Sequence, residues 1–245
     1  MARPRIRLAH ENWCVFIDRV IAPYFATNCW LIASEAHGEC VIVDPGIAEP
    51  NLVAPIKAKL AEHRLKAVAV IITHGHLDHT FSVAPLQDDV GISSIFIHRN
   101  DRDLLANPKL AMGPQGLALF AQLSGELGGS LREPTGVLEL AESQQLQIAG
   151  IAMDFMATPG HTPGSITVVM NDEVVVTGDT LFAGSIGRTD LPRGSISDMQ
   201  MTLREKIATL PGHLQVLPGH GEETRMEHEL SSNPYLLAAL RGELA

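Results

Sequence analysis

The chain has 245 residues, 45% hydrophobic and 19% charged, with 18 Lys and Arg against 28 Asp and Glu for a formal net charge of −10. That balance provides no basic face for a nucleic acid, and the one basic cluster, Arg3, Arg5 and Arg7, reads as a solvated terminus. No run approaches the roughly 18 apolar residues of a membrane span and the amino end lacks a signal-peptide layout, so the expectation is a cytoplasmic protein without a membrane partner. Cys14, Cys29 and Cys40 are odd in number and have no C-x-x-C spacing, which suits reduced core residues better than a disulfide framework or zinc knuckle.

In chain order, three short β-like runs occupy Cys14 to Val43, the last stopping at the turn signal Asp44, Pro45, Gly46. Asn51 to His63 has helical spacing at Leu52, Ile56 and Leu60. Ala67 to Ile72 is a continuous apolar run, the pattern of a strand covered on both faces, and it delivers the chain into His74. A helix over Phe81 to Gln87 and a strand over Ser93 to Ile97 follow; this alternation implies a layered α/β domain.

Between Asn100 and Thr135, Gly and Pro punctuate one apolar helix-like piece, Leu117 to Leu123, which reads as a helical insertion or lid. Further strand-like text covers Gln145 to Ala157, Ser165 to Met170 and Glu173 to Thr177, the last two joined by Asn171 and Asp172 as a tight hairpin. A helix over Asp198 to Leu210 and a strand over Gln215 to Leu217 lead to His220. With no repeat and no low-complexity linker, residues 1–245 are expected to form one domain, with the insertion at about 100–135 and a short helical tail at about 222–245.

The densest chemical signal is THGHLDH, residues 73 to 79, which places His74, His76, Asp78 and His79 at the end of a buried strand. Imidazole and carboxylate are the donors that borderline divalent ions prefer, and four so close together exceed the need of one catalytic ion. Three later positions lie in similar settings, each at the end of a β-like run among glycines: His161 in ATPGHTPGS, Asp179 in VVVTGDTLF and His220 in VLPGHGEE. His10, His37, His63, His98, His213 and His228 have no comparable context.

In these motifs, in order along nearly the whole chain, the sequence resembles the metallo-β-lactamase superfamily and, within it, the glyoxalase II-like hydrolases: VDPG at 43–46, THGHLDH at 73–79, PGHTPGS at 159–165, TGDTLF with GRTDLPRG between 177 and 194, and PGHG at 218–221. The resemblance implies an α/β fold, a four-layered αββα sandwich with the metal site at one edge of two sheets. It further implies one metal on His74, His76 and His161, another on Asp78, His79 and His220, and Asp179 bridging both. The cofactor expected is two divalent transition-metal ions, zinc foremost, with iron or manganese as alternatives. Asp44 would orient a ligand histidine from behind or simply cap a turn, and Arg188 would pair with Asp190 to brace a loop or meet a substrate carboxylate.

Two divalent ions, less the charges of Asp78, Asp179 and a bridging hydroxide, leave about +1, which favours a small anionic substrate. Attack of that metal-bridging hydroxide on a thioester of the S-lactoylglutathione (hydroxyacylglutathione) type needs no dedicated general acid, because a thiol leaving group has a pKa near 8.5. On this reading Asp78 and Asp179 are the catalytic carboxylates. The longer glyoxalase II enzymes carry a helical carboxy-terminal region for glutathione, whereas this chain ends about 25 residues after His220; the short glyoxalase II-like proteins share its Asn233, Pro234, Tyr235 segment. The usual Gly just after the histidine motif is replaced by Thr80, Phe81, Ser82. The alternatives are a mononuclear iron persulfide dioxygenase of the same superfamily, a hydrolase of another thioester or ester, and a binding protein on an inherited scaffold.

Overall fold

The computed structural model describes residues 15–126 and 132–245; Cys14, His10 and the three amino-terminal arginines lie outside the described residues, as does the side chain of Leu123. Two six-stranded sheets face each other. The first contains β1 (Phe16–Ile21), β2 (Asn28–Ala33), β3 (Glu39–Val43), β4 (Lys66–Ile71), β5 (Ser94–His98) and β6 (Val137–Leu140), in that spatial order. The second contains β7 (Ser143–Ile148), β8 (Ile151–Ala157), β9 (Ile166–Met170), β10 (Val174–Gly178), β11 (Gln215–Pro218) and β12 (Thr224–Arg225), also in sequence order across the sheet.

Alternation along the strands builds three apolar layers. In β2, Trp30 and Ile32 point between the sheets with Val41, Val43 and Ile71, and meet Met153, Phe155, Val168 and Val176 of the second sheet. Cys29, Leu31 and Ala33 point the other way, onto helices α1 (Val53–His63) and α3 (Val83–Val90) through Ile56, Leu60, Val83 and Leu86. On the far side, Val175 and Val216 pack on α5 (Ile196–Glu205), α6 (Met226–Ser232) and α7 (Pro234–Arg241) through Met199, Leu203, Met226 and Leu236. Each such side chain, taken fully out of water, contributes about 1.5–3 kcal/mol before entropy. The layering is αββα, as expected. No helix among the described residues is long and apolar enough to cross a membrane.

Several elements depart from the sequence reading. Gln145 to Ala157 is not one run but the hairpin β7–β8, turned at Ala149 and Gly150, both in the left-handed region at φ 53° and 72°. The four-residue β6 carries too short a pattern to stand out. The helix expected over Phe81 to Gln87 is α3, which runs from Val83 to Val90, and the sequence reading missed the short α2 (Leu77–Thr80) before it; the two are separated where Ser82 donates from its hydroxyl to the Gly46 carbonyl and accepts from the Leu52 N–H. The helix expected to reach Leu210 ends at Glu205 and continues as a short 3-10 turn over Ile207–Thr209. The segment after β5 consists of 3-10 turns over Arg99–Leu105 and Pro108–Ala111, then α4 (Pro114–Glu126).

Because β3 and β4 are parallel, and β8, β10 and β11 share one direction, the loops after these five strands emerge at a common edge. There the sheets are tied together: Asn28 N–H donates to the Gly219 carbonyl at 2.7 Å, Trp30 Nε1 to the Pro218 carbonyl at 3.0 Å, and Ile166 N–H to the Thr73 carbonyl at 2.9 Å.

Candidate metal centre

The seven positions singled out in the sequence meet at this edge. His74 and His76 lie in the turn after β4, with Asp78 and His79 on α2; His161 follows β8, Asp179 follows β10 and His220 follows β11. His74 Nε2, His76 Nδ1 and His161 Nε2 lie 2.8–3.2 Å apart. His79 Nε2 is 3.2 Å from His220 Nε2 and 3.6 Å from Asp78 Oδ2, and His220 Nε2 is 3.4 Å from Asp78 Oδ2. Asp179 touches both groups, with Oδ2 3.5 Å from His161 Nε2 and 3.4 Å from His220 Nε2, and Oδ1 3.4 Å from His79 Nε2. His74, His79 and Asp179 also form a close trio, so the two groups share a continuous wall.

The partners behind the rings decide what faces inward. The Asp44 carboxylate accepts from Thr73 N–H at 2.8 Å, Thr73 Oγ1 at 2.6 Å and His79 Nδ1 at 2.9 Å, and is fully buried. Since the single proton of Thr73 Oγ1 goes to Asp44, that oxygen accepts from His74 Nδ1 at 3.2 Å. His161 Nδ1 donates to the Arg188 carbonyl at 2.7 Å and His220 Nδ1 to the Phe25 carbonyl at 3.0 Å. Four rings thus have their Nδ1 protons committed outward, which leaves the Nε2 atoms facing one another as the positions open to a proton or a metal ion. Lone pairs at such distances repel unless a cation lies between them. Asp179 Oδ1 is buried with no hydrogen-bond partner, an arrangement that a metal ion satisfies and an apolar wall does not.

The electrostatics agree with this donor set. Burial, reinforced by the neighbouring imidazoles, holds His74 well below its ordinary pKa, and burial holds His76 down at about 3, so both are neutral donors. For His79, burial works in the same sense but is outweighed by Asp179, Asp78 and Asp44, which raise it to about 9. For His220, burial is outweighed by hydrogen bonds to Asp179 and Asp78, which raise it to about 11. Asp179 is lowered to about 2, and Asp78 is also lowered, because the surrounding imidazoles overcome the opposing effect of burial. This corner of the site strongly attracts positive charge.

Arg188 and Asp190 form a two-pronged pair, Nε to Oδ1 at 2.7 Å and Nη2 to Oδ2 at 2.6 Å. What the sequence concealed is that the Arg188 backbone carbonyl holds His161. It also concealed Asp101, fully buried just after β5. Its Oδ2 accepts from Gly75 N–H at 2.8 Å and Thr162 Oγ1 at 2.6 Å, and its Oδ1 from Gly164 N–H at 2.9 Å. One carboxylate therefore joins the His74–His76 turn to the His161 turn, and a Cβ on Gly164 would collide with it. Asn233 accepts from Tyr235 N–H and Leu236 N–H to start α7, while its amide donates to the Phe182 and Ser185 carbonyls. The carboxy-terminal helices thereby brace the loop after Asp179.

A cavity of about 1200 Å³ opens over the cluster, with His76, Asp78, His161, Asp179 and His220 in its floor and residues of the 108–120 segment above. Within the helix-like piece from Leu117 to Leu123 that reads as an insertion or lid, Phe120 lines the cavity, Leu117 is 42% exposed, and Leu123 lies outside the described side chains.

A family model described as the metallo-β-lactamase superfamily matches residues 22–220. The chain belongs to that superfamily. An uncharacterized protein of Mycobacterium leprae is 38% identical to this superfamily member over 212 residues, 85% of this chain and 93% of its own length. The hydroxyacylglutathione hydrolase GloC of Haemophilus influenzae is 31% identical over 221 residues, 90% of this chain and 97% of its own. Among solved structures, the BLEG-1 B3 metallo-β-lactamase matches with a TM-score of 0.74 at 28% identity, covering 90% of this chain and 99% of that one. Membership of this superfamily supports divalent-metal binding by the histidine and aspartate cluster.

Proposed function

We propose that the protein is a dinuclear metal-dependent thioester hydrolase that accepts S-lactoylglutathione-type substrates, with His74, His76 and His161 holding one ion, Asp78, His79 and His220 the other, and Asp179 shared. The observation that carries this reading is the convergence of seven donor side chains, four of them imidazoles whose Nδ1 protons are already committed outward, together with the Asp179 Oδ1 that has no hydrogen-bond partner. When bound, two divalent ions would polarise a substrate carbonyl and bring a water toward ionisation near neutral pH.

The chain's own residues do the rest. Asp44, Thr73 and the carbonyls of Phe25 and Arg188 fix the tautomers and directions of four imidazoles. Ionised Asp78 and Asp179 carry negative charge that balances the ions. A departing thiolate needs no proton donor, since its conjugate acid has a pKa of about 8.5, and the cavity floor supplies no lysine or tyrosine for the purpose. The name of the Haemophilus relative supports a thioester of the hydroxyacylglutathione class.

Elemental analysis of protein purified with zinc, iron or manganese in excess, paired with S-lactoylglutathione turnover on the same preparation, tests this. About two ions per chain and activity abolished by a chelator are expected. A plateau at one iron with oxygen consumption on glutathione persulfide would replace the reading with a dioxygenase.

A further inference from the structure

We infer that the part of the substrate lying beyond the thioester is an uncharged apolar chain, and that S-lactoylglutathione, although accepted, is not the preferred substrate. This rests on the thioesterase reading above and concerns the walls of the cavity rather than its floor. Those walls present Phe25, Ile47, Met112, Phe120, Phe182 and Leu191. Arg188 is the only Lys or Arg among the described lining residues, and the Nε and Nη2 edge of its guanidinium is paired with Asp190, which offsets its charge. A glutathione moiety brings two carboxylates into the site, and free Arg or Lys side chains are what bind carboxylates there. A carboxylate approaching Arg188 meets a cation whose charge Asp190 already offsets, and the other carboxylate meets Phe, Leu and Met. At about 1200 Å³ the cavity exceeds the roughly 300–1,000 Å³ typical of small-ligand sites and is far larger than a lactoyl group requires.

The mouth of the cavity points the same way. Phe25 has a left-handed backbone, φ 61°, followed by Ala26 at φ 55°, and its ring is 57% exposed. A bulky residue held in that region is strained, and strain of this sort persists where the surroundings enforce it. Here the Phe25 carbonyl is engaged by His220 Nδ1, which fixes the backbone and leaves the ring at the rim of the catalytic cavity. An exposed aromatic ring beside the reacting centre suits the passage or partial burial of a hydrocarbon chain.

The test uses metal-loaded full-length protein and two substrate series. Acyl chains from acetyl to octanoyl on N-acetylcysteamine, a neutral thiol, probe the acyl side; lactoyl thioesters of alkyl thiols from ethyl to octyl probe the thiol side. In at least one series kcat/KM is expected to rise about tenfold or more with chain length, and to exceed the value for S-lactoylglutathione, since each well-buried methylene is worth up to about fourfold. The rising series identifies which end occupies the cavity. Met112→Lys should flatten that rise and improve S-lactoylglutathione, with the metal content unchanged. As a readout independent of turnover, calorimetry should show octyl N-acetylcysteamine thioether binding more tightly than S-methylglutathione.

A kcat/KM for S-lactoylglutathione above every neutral thioester would overturn the inference while leaving the thioesterase reading intact. That is the result expected if backbone N–H groups at Gln115 and Gly116, which also line the cavity, captured the charge. Absence of any thioester turnover with both metals bound and the octyl thioether still preferred would sink the thioesterase reading and leave the apolar cavity standing.

Discussion

The floor and the roof of the cavity are built in opposite ways. Each described floor loop is held by partners remote in sequence: His79 by Asp44, Gly75 and Gly164 by Asp101, His161 by Arg188, His220 by Phe25. The roof is stitched locally. Leu110 N–H reaches Asn107, Met112 N–H reaches Lys109, and Leu117 N–H reaches Gly113, while Lys109 Nζ sits 4.9 Å from the centre of the Phe120 ring. Geometry that must be accurate to a fraction of an ångström is pinned to the ends of buried strands, whereas the surface that selects a substrate rests on bonds within one or two turns. The comparison teaches that the two should fail differently: a floor defect should cost metal for every substrate, and a roof defect should change which substrate is favoured.

The largest effect expected is at the carboxylate shared by both groups. Asp179→Ala should lose both ions and reduce turnover by more than about a hundredfold, since even residues that only orient a ligand cost about 10- to 100-fold. Asp78→Ala should mainly empty one site. Metal stoichiometry of the two purified variants, measured side by side, decides the matter; equal retention of one ion in both would remove Asp179 from the bridging position.

Next comes Asp101, which touches no proposed ligand side chain but holds two of the loops that carry them. Asp101→Asn keeps the shape and turns an NH2 group toward either the Gly164 N–H or the Gly75 N–H and Thr162 hydroxyl, leaving buried donors facing a donor. A stability loss of about 1–3 kcal/mol is expected, with weaker metal retention. Titration with a competing chelator supplies the readout that a merely structural role would leave unchanged: if the variant lost stability but kept wild-type metal affinity, Asp101 would be a fold residue only.

A smaller and different effect is expected in the roof. Replacing residues 112–130 by a short Gly/Ser linker should leave two ions bound and change the ratio of kcat/KM between two thioesters by about tenfold, the value of a few apolar contacts. Loss of metal in this variant would mean that the roof supports the floor, and the contrast between them would fall.

How legible this was in the sequence follows the same division. A layered α/β domain could be read from strand runs such as Ala67 to Ile72 and from helical spacing, because burial on both faces writes a strong pattern, while the four-layered arrangement came from the resemblance to the superfamily. The seven floor side chains stood out because dense His and Asp at strand ends is rare text. Asp101 did not, since RNDRD reads like any solvated turn and only the fold brings it to Gly75 and Gly164. The Phe25 and Arg188 carbonyls carry no side-chain signal at all. The β7–β8 turn was hidden because one of its two left-handed residues is Ala149, which no turn rule favours. The roof was legible only as a change of texture, since apolar residues in a lid and in a core follow the same helical spacing.

The smallest effect belongs to a polar cluster that resembles the floor in composition and differs in purpose. Asp18 on β1 accepts from His63 Nε2 at 2.8 Å and Lys59 Nζ at 2.9 Å, both on α1, and touches none of the seven metal-site residues. Burial alone would raise the Asp18 pKa, but hydrogen bonds from Lys59, the Arg19 N–H and His63 hold it below the usual 3.8. The sign follows from that depression: the folded state prefers the ionised carboxylate, so its stabilisation is complete above the unfolded value and disappears as pH falls through the lower folded one. Asp18→Asn should therefore cost about 0.5–1 kcal/mol at neutral pH, the scale of a partly exposed ion pair, and in denaturant titrations the difference from wild type should shrink as the pH falls below the usual carboxylate range. At neutral pH, two bound ions and unaltered thioester selectivity are expected of this variant. If instead Asp18→Asn weakened metal retention, remote polar bonds anywhere in the sandwich would reach the site, and the floor would owe its rigidity to the whole fold rather than to the bonds behind its own imidazoles.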